Sequence, residues 1–334
     1  MISPEEQKIL NDIIEASLSA QGTRFPVSET KRIMVPGFDN VWVKDESTNE
    51  TGTHKDRMAW EIVAVYADIL KTKARNSHLS EPLPKLSLIS AGSAALAVQT
   101  KLKRFNLPNL KVLADISVKK EAVEALESLG CDVYQADLSG QMLSSEDILK
   151  LTDNINGFDI TSNKGFDPTI RFYDWLSYEI LNENPDYVFA PFGTGQLYEN
   201  IINIAKYILT SETCDKVYSG DKEKIRQCHF IGATSNNPKT KAVKLYAPFR
   251  PFTSMSQTYI DLLARRGYCG TESRIVEVTE NSIESGYKLL NNQGIQAEYS
   301  GASAMGLLLQ LQKEIPPQSK IIIINTGKAK FGLN

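Results

Sequence analysis

Apolar residues in this chain follow two alternating rhythms. Short runs rich in β-branched residues read as strands: "VWVK" (41–44), "LSLIS" (86–90), "NLKVLADI" (109–116), "CDVYQAD" (131–137), "DYVFAPF" (186–192), "HFIGATS" (229–235), "RIVEVT" (274–279) and "KIIIIN" (320–325). Between them, stretches such as "GSAALAVQTKLKRF", "SVKKEAVEALESLG", "LYENIINIAKYIL" and "GASAMGLLLQLQKE" space their apolar residues as amphipathic helices do. The segment "TGTHKDRMAWEIVAVYADIL" (51–70) predicts a helix opening near Lys55. With Trp60, Ile62, Val63, Val65, Ile69 and Leu70 all apolar, that helix is buried on most sides. At the chain start, Ser3, Pro4 and Glu6 predict a helix N-terminus with a capping box, and Ile9, Leu10, Ile13 and Ile14 its apolar stripe.

Strands alternating with helices predict an α/β protein with two open, mainly parallel sheets, because parallel strands need helical crossovers. A chain of 334 residues also exceeds the size at which one core stops growing. Boundary crossings are placed near residue 55 and in the Asn/Gly-rich stretch "NINGFDITSNKGFDP" (154–168). They divide the chain into a larger domain, 1–55 with 159–334, and a smaller one, 56–158.

Composition narrows the partners. Hydrophobic residues at 42% and charged residues at 23% suit a globular protein. The net charge of -3 comes from 37 basic and 40 acidic residues that are interspersed, so no field draws nucleic acid or an anionic membrane. The start "MISPEEQKILNDIIEASLSAQG" lacks the pattern of a secretory signal, and "IIII" is too short to span a bilayer. A cytoplasmic protein with a small substrate is expected. Cys131, Cys214, Cys228 and Cys269 form no C-x-x-C pair and no zinc spacing, so they read as reduced thiols and no metal is expected.

Three turns follow strands at the ends where open α/β sheets bind ligands. "SAGSAA" (90–95) offers small residues, with Ser90, Ala91, Gly92, Ser93 and Ala94 at a helix start suited to a carboxylate. "APFGTGQLY" sets Gly193, Thr194, Gly195 and Gln196 before a helix, a cradle for a phosphate monoester without a Walker lysine. "NTGK" puts the Thr326 hydroxyl at the end of the last strand. Each turn alone is equally a plain connection, and Lys55 alone could form a surface ion pair with Asp56. Together, a lysine amine, a phosphate loop and a hydroxyl for a ring nitrogen are the parts that hold pyridoxal phosphate.

At these residues the sequence resembles the fold-type II pyridoxal-phosphate enzymes, in particular their threonine synthase-like members. "VWVKDESTNETGTHKDR" is similar to their lysine segment K-x-E-x-x-N-P-T-G-S-F-K-D-R, "SAGSAALA" to their substrate loop, and "APFGTGQL" to their phosphate loop. "IQAEYSGASAMGLL" matches their E-P-S-S/G-A segment and "NTGK" their C-terminal Ser/Thr-Gly. The matches are collinear from about residue 20 to the C-terminus.

The resemblance implies a two-domain fold with the cofactor in the cleft, and Lys55 as the Schiff-base lysine and acid/base. His54, Ser93, Gly193, Thr194, Gly195, Gln196 and Thr326 would hold the cofactor. Ser90, Ala91, Gly92, Ser93 and Ala94, on the smaller domain, would hold the substrate. It further implies a homodimer acting on a small amino acid, by elimination or replacement at the β or γ carbon.

Two departures stand out. Ser93 replaces the loop asparagine, and "DPTIRFYDWLSYEI" keeps Arg171 of a threonine synthase segment without its Glu-Gly and lysine. A serine/threonine dehydratase, a cysteine synthase-like enzyme and a cofactor binder without turnover are the alternatives. Arg171, Tyr173 and Tyr299 are candidates for the pocket.

Overall fold

The structure is a computed structural model that describes residues 2–19, 27–76, 79, 81–90, 92–140, 142–161, 172–211, 217–247, 253 and 255–330. Ala91, Arg171 and Cys214 lie outside the described residues. The chain divides into two compact units, one of Met1–Pro26, Thr53–Phe172 and Ala329–Asn334, the other of Val27–Gly52 and Tyr173–Lys328.

The first unit holds the N-terminal helix α1 (Pro4–Ser19) and the helices α2 (Lys55–Arg75), α3 (Ser93–Arg104), α4 (Lys120–Leu129) and α5 (Ser145–Leu151). Its four strands are β3 (Leu86–Ile89), β4 (Lys111–Asp115), β5 (Asp132–Ala136) and β6 (Phe158–Asp159), paired in parallel in the order β5-β4-β3-β6. The capping box at α1 is formed: the Ser3 Oγ accepts from the Glu6 N–H at 3.1 Å, and the Ser3 N–H donates to the Glu6 carboxylate at 2.9 Å. Ile9, Leu10 and Ile13 are buried, but Ile14 is 39% exposed, because it falls at the margin of the stripe.

α1 groups with this unit, although the sequence suggested placing residues 1–55 with the larger domain. The reason is its packing on α2, where Lys73 pairs with Glu6. α2 itself is buried without a break from Asp56 to Val63, as its apolar run predicts.

The second unit is built on six strands in the order β1-β2-β10-β7-β8-β9. They are β1 (Glu29–Val35), β2 (Phe38–Asp45), β7 (Tyr187–Pro191), β8 (His229–Thr234), β9 (Arg274–Glu277) and β10 (Ile321–Asn325). Only β1 runs antiparallel, joined to β2 by a hairpin at Pro36–Gly37 that the strand reading did not anticipate. The helices are α6 (Asp174–Leu181), α7 (Gln196–Thr210), α8 (Lys222–Gln227), α9 (Gln257–Arg265), α10 (Glu280–Asn292) and α11 (Tyr299–Gln310).

All five residues of β10 are buried, which explains why its sequence is continuously apolar rather than alternating. α10 and α11 approach closely because Gly286 and Gly306 meet at the crossing: a Cβ on Gly306 would fall 3.0 Å from the Ile283 Cα. Among the described residues no helix is long and apolar enough to cross a membrane.

Candidate active site

β2, β10 and β7 are neighbours and parallel, with Asn325 opposite Asp45 and Ile323 opposite Phe189. The segments that leave their C-terminal ends therefore emerge side by side: 46–52 after β2, 326–328 after β10 and 192–196 after β7. The strand order also reverses between β10 and β7, and open α/β sheets leave a ligand crevice at such a point.

These loops are held by backbone packed on backbone. A Cβ on Gly193 would fall on the Lys244 carbonyl oxygen, and one on Gly195 would lie 2.6 Å from the Thr253 Cγ2. Gly195 is also left-handed (φ 86°) and caps α7, so a side chain there is excluded twice over. Thr194 between them is exposed, and Gln196 opens α7. Residues 193–198 carry no carboxylate, they include the Thr194 hydroxyl and the Gln196 amide, and they lie at the positive N-terminal end of α7, whose first turn also holds Glu199. A dianion suits that set.

At the end of β10, the buried Asn325 donates to the Asp45 carboxylate and to the Gln296 carbonyl, both at 2.9 Å, while its own oxygen accepts from the Gly327 N–H at 3.1 Å. Gly327 is left-handed (φ 91°), and a Cβ there would strike the Gly52 carbonyl. The same Gly52 carbonyl accepts from the Lys328 N–H at 2.9 Å. Thr326, 8% exposed, is thus set in a tightly specified turn. Its hydroxyl is neutral, and the Asp45 carboxylate of the adjacent strand is occupied by Asn325 and by the Ser47 N–H and Oγ.

The segment after β2 hangs on buried charges that the sequence reading did not single out. Lys44, in a strand that becomes buried on both faces at this end, donates to the Ser28 carbonyl and pairs with Glu179 of α6, both at 2.7 Å. Glu46 accepts from the Ser28 hydroxyl at 2.6 Å and the Asn49 amide at 2.7 Å. A lysine following "VWV" in a strand was the available signal. Three residues beyond Gly52 the chain reaches Lys55.

In the first unit, Lys55 is the first residue of α2 and half-buried; its N–H donates to the Thr53 Oγ1 at 3.3 Å. His54 is the N-cap. Asp56 is fully buried. After β3, the Ser90 Oγ accepts from the N–H groups of Gly92 at 3.2 Å and Ala95 at 3.4 Å, capping the start of α3. Ser93 is buried and Ala94 half-buried in the first turn. Tyr173 is buried in the second unit, where Tyr299 packs its ring on Tyr287 at 4.4 Å.

The described thiols take no part in such chemistry. Cys131, Cys228 and Cys269 are buried and free, and burial pushes the Cys131 thiol up to about 12 and Cys228 well above its ordinary value. Among the described residues no cluster could hold a metal ion. Burial likewise raises the Tyr198 phenol well above its usual range, keeping it a neutral donor to the Phe230 carbonyl at 2.9 Å.

The donor set at 193–196 and the neutral Thr326 fit the phosphate and the ring nitrogen of pyridoxal phosphate. Comparison with known proteins points to the same cofactor. The chain is similar in structure to the O-acetylserine dependent cystathionine beta-synthase from Helicobacter pylori (TM-score 0.63, 15% identity, 99% of this chain and 97% of that one). It is similar also to the processed form of threonine deaminase isoform 2 from Solanum lycopersicum (0.60, 19%, 99% and 86%) and to serine racemase from Dictyostelium discoideum (0.60, 17%, 95% and 97%). No curated protein sequence matches the chain. A family described as pyridoxal-phosphate dependent enzyme matches residues 24–327. That match spans nearly the whole chain and both units, and it places the protein in the family of pyridoxal-phosphate dependent enzymes.

Proposed function

We propose that this protein is a pyridoxal-phosphate lyase or synthase, threonine synthase-like, that carries out elimination or replacement at the β or γ carbon of a small amino acid. It would act in the cytoplasm as a homodimer. The observation that carries this reading is the set of parallel strand ends in the second unit, where a glycine loop without a carboxylate follows β7 and a neutral hydroxyl follows the adjacent β10.

When bound, the cofactor supplies an electron sink that lets a bond at the substrate Cα break heterolytically. Gly193, Thr194, Gly195 and Gln196 would hold the phosphate, and Thr326 would hydrogen-bond the ring nitrogen. A neutral hydroxyl does not stabilise a protonated ring, which favours elimination and replacement over transamination. His54 precedes the cofactor lysine, and Ser93 takes the place of the family's loop asparagine. Ser90, Gly92, Ser93 and Ala94, with Ala91, receive the substrate carboxylate at the start of α3. The Lys55 amine takes the proton from the substrate Cα and returns one to the product.

A second reading, β-elimination or β-replacement on serine, threonine or an O-acylated serine, draws support from the structural relatives named for threonine deamination and O-acetylserine-dependent synthesis. Loaded protein would be incubated with serine, threonine, O-acetylserine or O-phosphohomoserine. Threonine and phosphate from O-phosphohomoserine is the expected product of the first reading, and a keto acid with ammonia, or a new β-substituted amino acid, that of the second. Absence of product and of Cα-deuterium exchange with every one would contradict both and leave a binder without turnover.

A further inference from the structure

Lys244 stands outside every motif, yet it touches two of the loops described above. Its carbonyl lies beneath Gly193, where a Cβ would collide with it, so it packs against the backbone of the phosphate loop. Its N–H donates to the Ser300 Oγ at 3.1 Å, and its Nζ binds both oxygens of Glu298, at 2.6 and 2.8 Å. Glu298 is the N-cap of α11 but makes no side-chain cap hydrogen bond there. The flanking Ala242 and Leu245 are buried, and the Leu245 N–H donates to the Ala242 carbonyl at 2.8 Å, which fixes the turn that carries Lys244.

The start of α11 in turn abuts the loop after β10. The Glu298 N–H points at the Gly327 carbonyl at 3.4 Å. A Cβ on Gly301 would lie 2.8 Å from that same carbonyl and 2.9 Å from the Asn325 Oδ1. Lys244 therefore joins the phosphate loop, through its carbonyl, to the helix end against which the Asn325–Gly327 turn packs.

We infer that Lys244 is a positioning residue: its two-oxygen ion pair with Glu298 fixes the separation between the phosphate loop and the Thr326 turn, so that one ligand is gripped at its phosphate and its ring together. The inference rests on the assignment of these loops to pyridoxal phosphate. A partly buried, two-point ion pair is directional enough to hold such a spacing, whereas an exposed single contact is not.

The test compares wild type with Lys244→Met, Glu298→Gln, Lys244→Arg and the charge exchange Lys244→Glu with Glu298→Lys. Dissociation constants are measured for pyridoxal phosphate and for pyridoxal, together with the phosphorus NMR shift of the bound cofactor and the melting temperature of the apoprotein. Lys244→Met and Glu298→Gln are expected to weaken pyridoxal phosphate about tenfold or more while changing pyridoxal binding less than about threefold. The phosphorus shift moves toward that of the free cofactor, and Lys244→Arg or the charge exchange restores much of the loss.

Two results would overturn the inference: affinities within about twofold of wild type with an unmoved phosphorus shift, or parallel losses for both ligands that track a fall in melting temperature. Wild-type protein that binds no pyridoxal phosphate would instead overturn the assignment on which it rests.

Discussion

The loops after β7 and β10 of the second unit and the loop after β3 of the first are all small-residue turns after parallel strands, but their glycines answer to different constraints. Gly193, Gly195 and Gly327 are pressed against backbone or side chains from distant parts of the chain, and two of them are left-handed. Gly92 has no atom within 4 Å of where a Cβ would stand. Its turn is fixed locally, by the Ser90 hydroxyl accepting two N–H groups. The second unit's loops are set by tertiary packing, and the first unit's loop by its own sequence neighbours. On the proposed function, the loops that take the cofactor's phosphate and ring are preformed by packing within the second unit.

The largest effect that could break this contrast is at the strand-end turn. Gly327→Ala adds a collision with the Gly52 carbonyl to an unfavourable left-handed backbone, and about 3 kcal/mol or more of stability should be lost, measured by urea unfolding. Gly193→Ala, which meets the Lys244 carbonyl without the left-handed cost, should lose about 2 kcal/mol and weaken pyridoxal phosphate binding measured by titration. A Gly193→Ala protein as stable as wild type would mean that the loop is not packed as described.

The opposite, N-terminal end of the strands of the same sheet provides a control. His229, at the start of β8, accepts the Glu272 N–H on Nδ1 at 3.1 Å, and burial holds its pKa below the ordinary value. The folded state therefore binds fewer protons at this site than the unfolded state. Its contribution is present above about pH 6.5 and is lost as the pH falls through and below that value. His229→Gln should flatten that part of the stability profile and leave cofactor affinity unchanged. The smallest effect is expected at the open loop, where Gly92→Ala should change stability by about 0.5 kcal/mol or less and show itself in substrate KM instead.

Much of this was legible in the sequence. The eight strands read from β-branched runs are present, because parallel strands covered on both faces need continuous apolar sequence. The capping box at Ser3 and Glu6 and the burial of much of α2 also followed from local pattern. β1 and β6 were not read as strands: "ETKRIMV" is an edge strand with charged residues, and "FD" is too short to show a period. The Lys44–Glu179, Asn325–Asp45 and Lys244–Glu298 contacts join residues 54 to 280 positions apart, a pairing that no local spacing encodes. Local pattern carried the elements and the glycine turns, and tertiary contacts decided which turns are rigid.

The most direct test of the central assignment is to load the protein with pyridoxal phosphate, reduce it with borohydride and map the modified peptide by mass spectrometry. The account predicts a single cofactor adduct on Lys55, absent from Lys55→Ala. An adduct on another lysine such as Lys44 or Lys244, or a loaded protein with none, would contradict it.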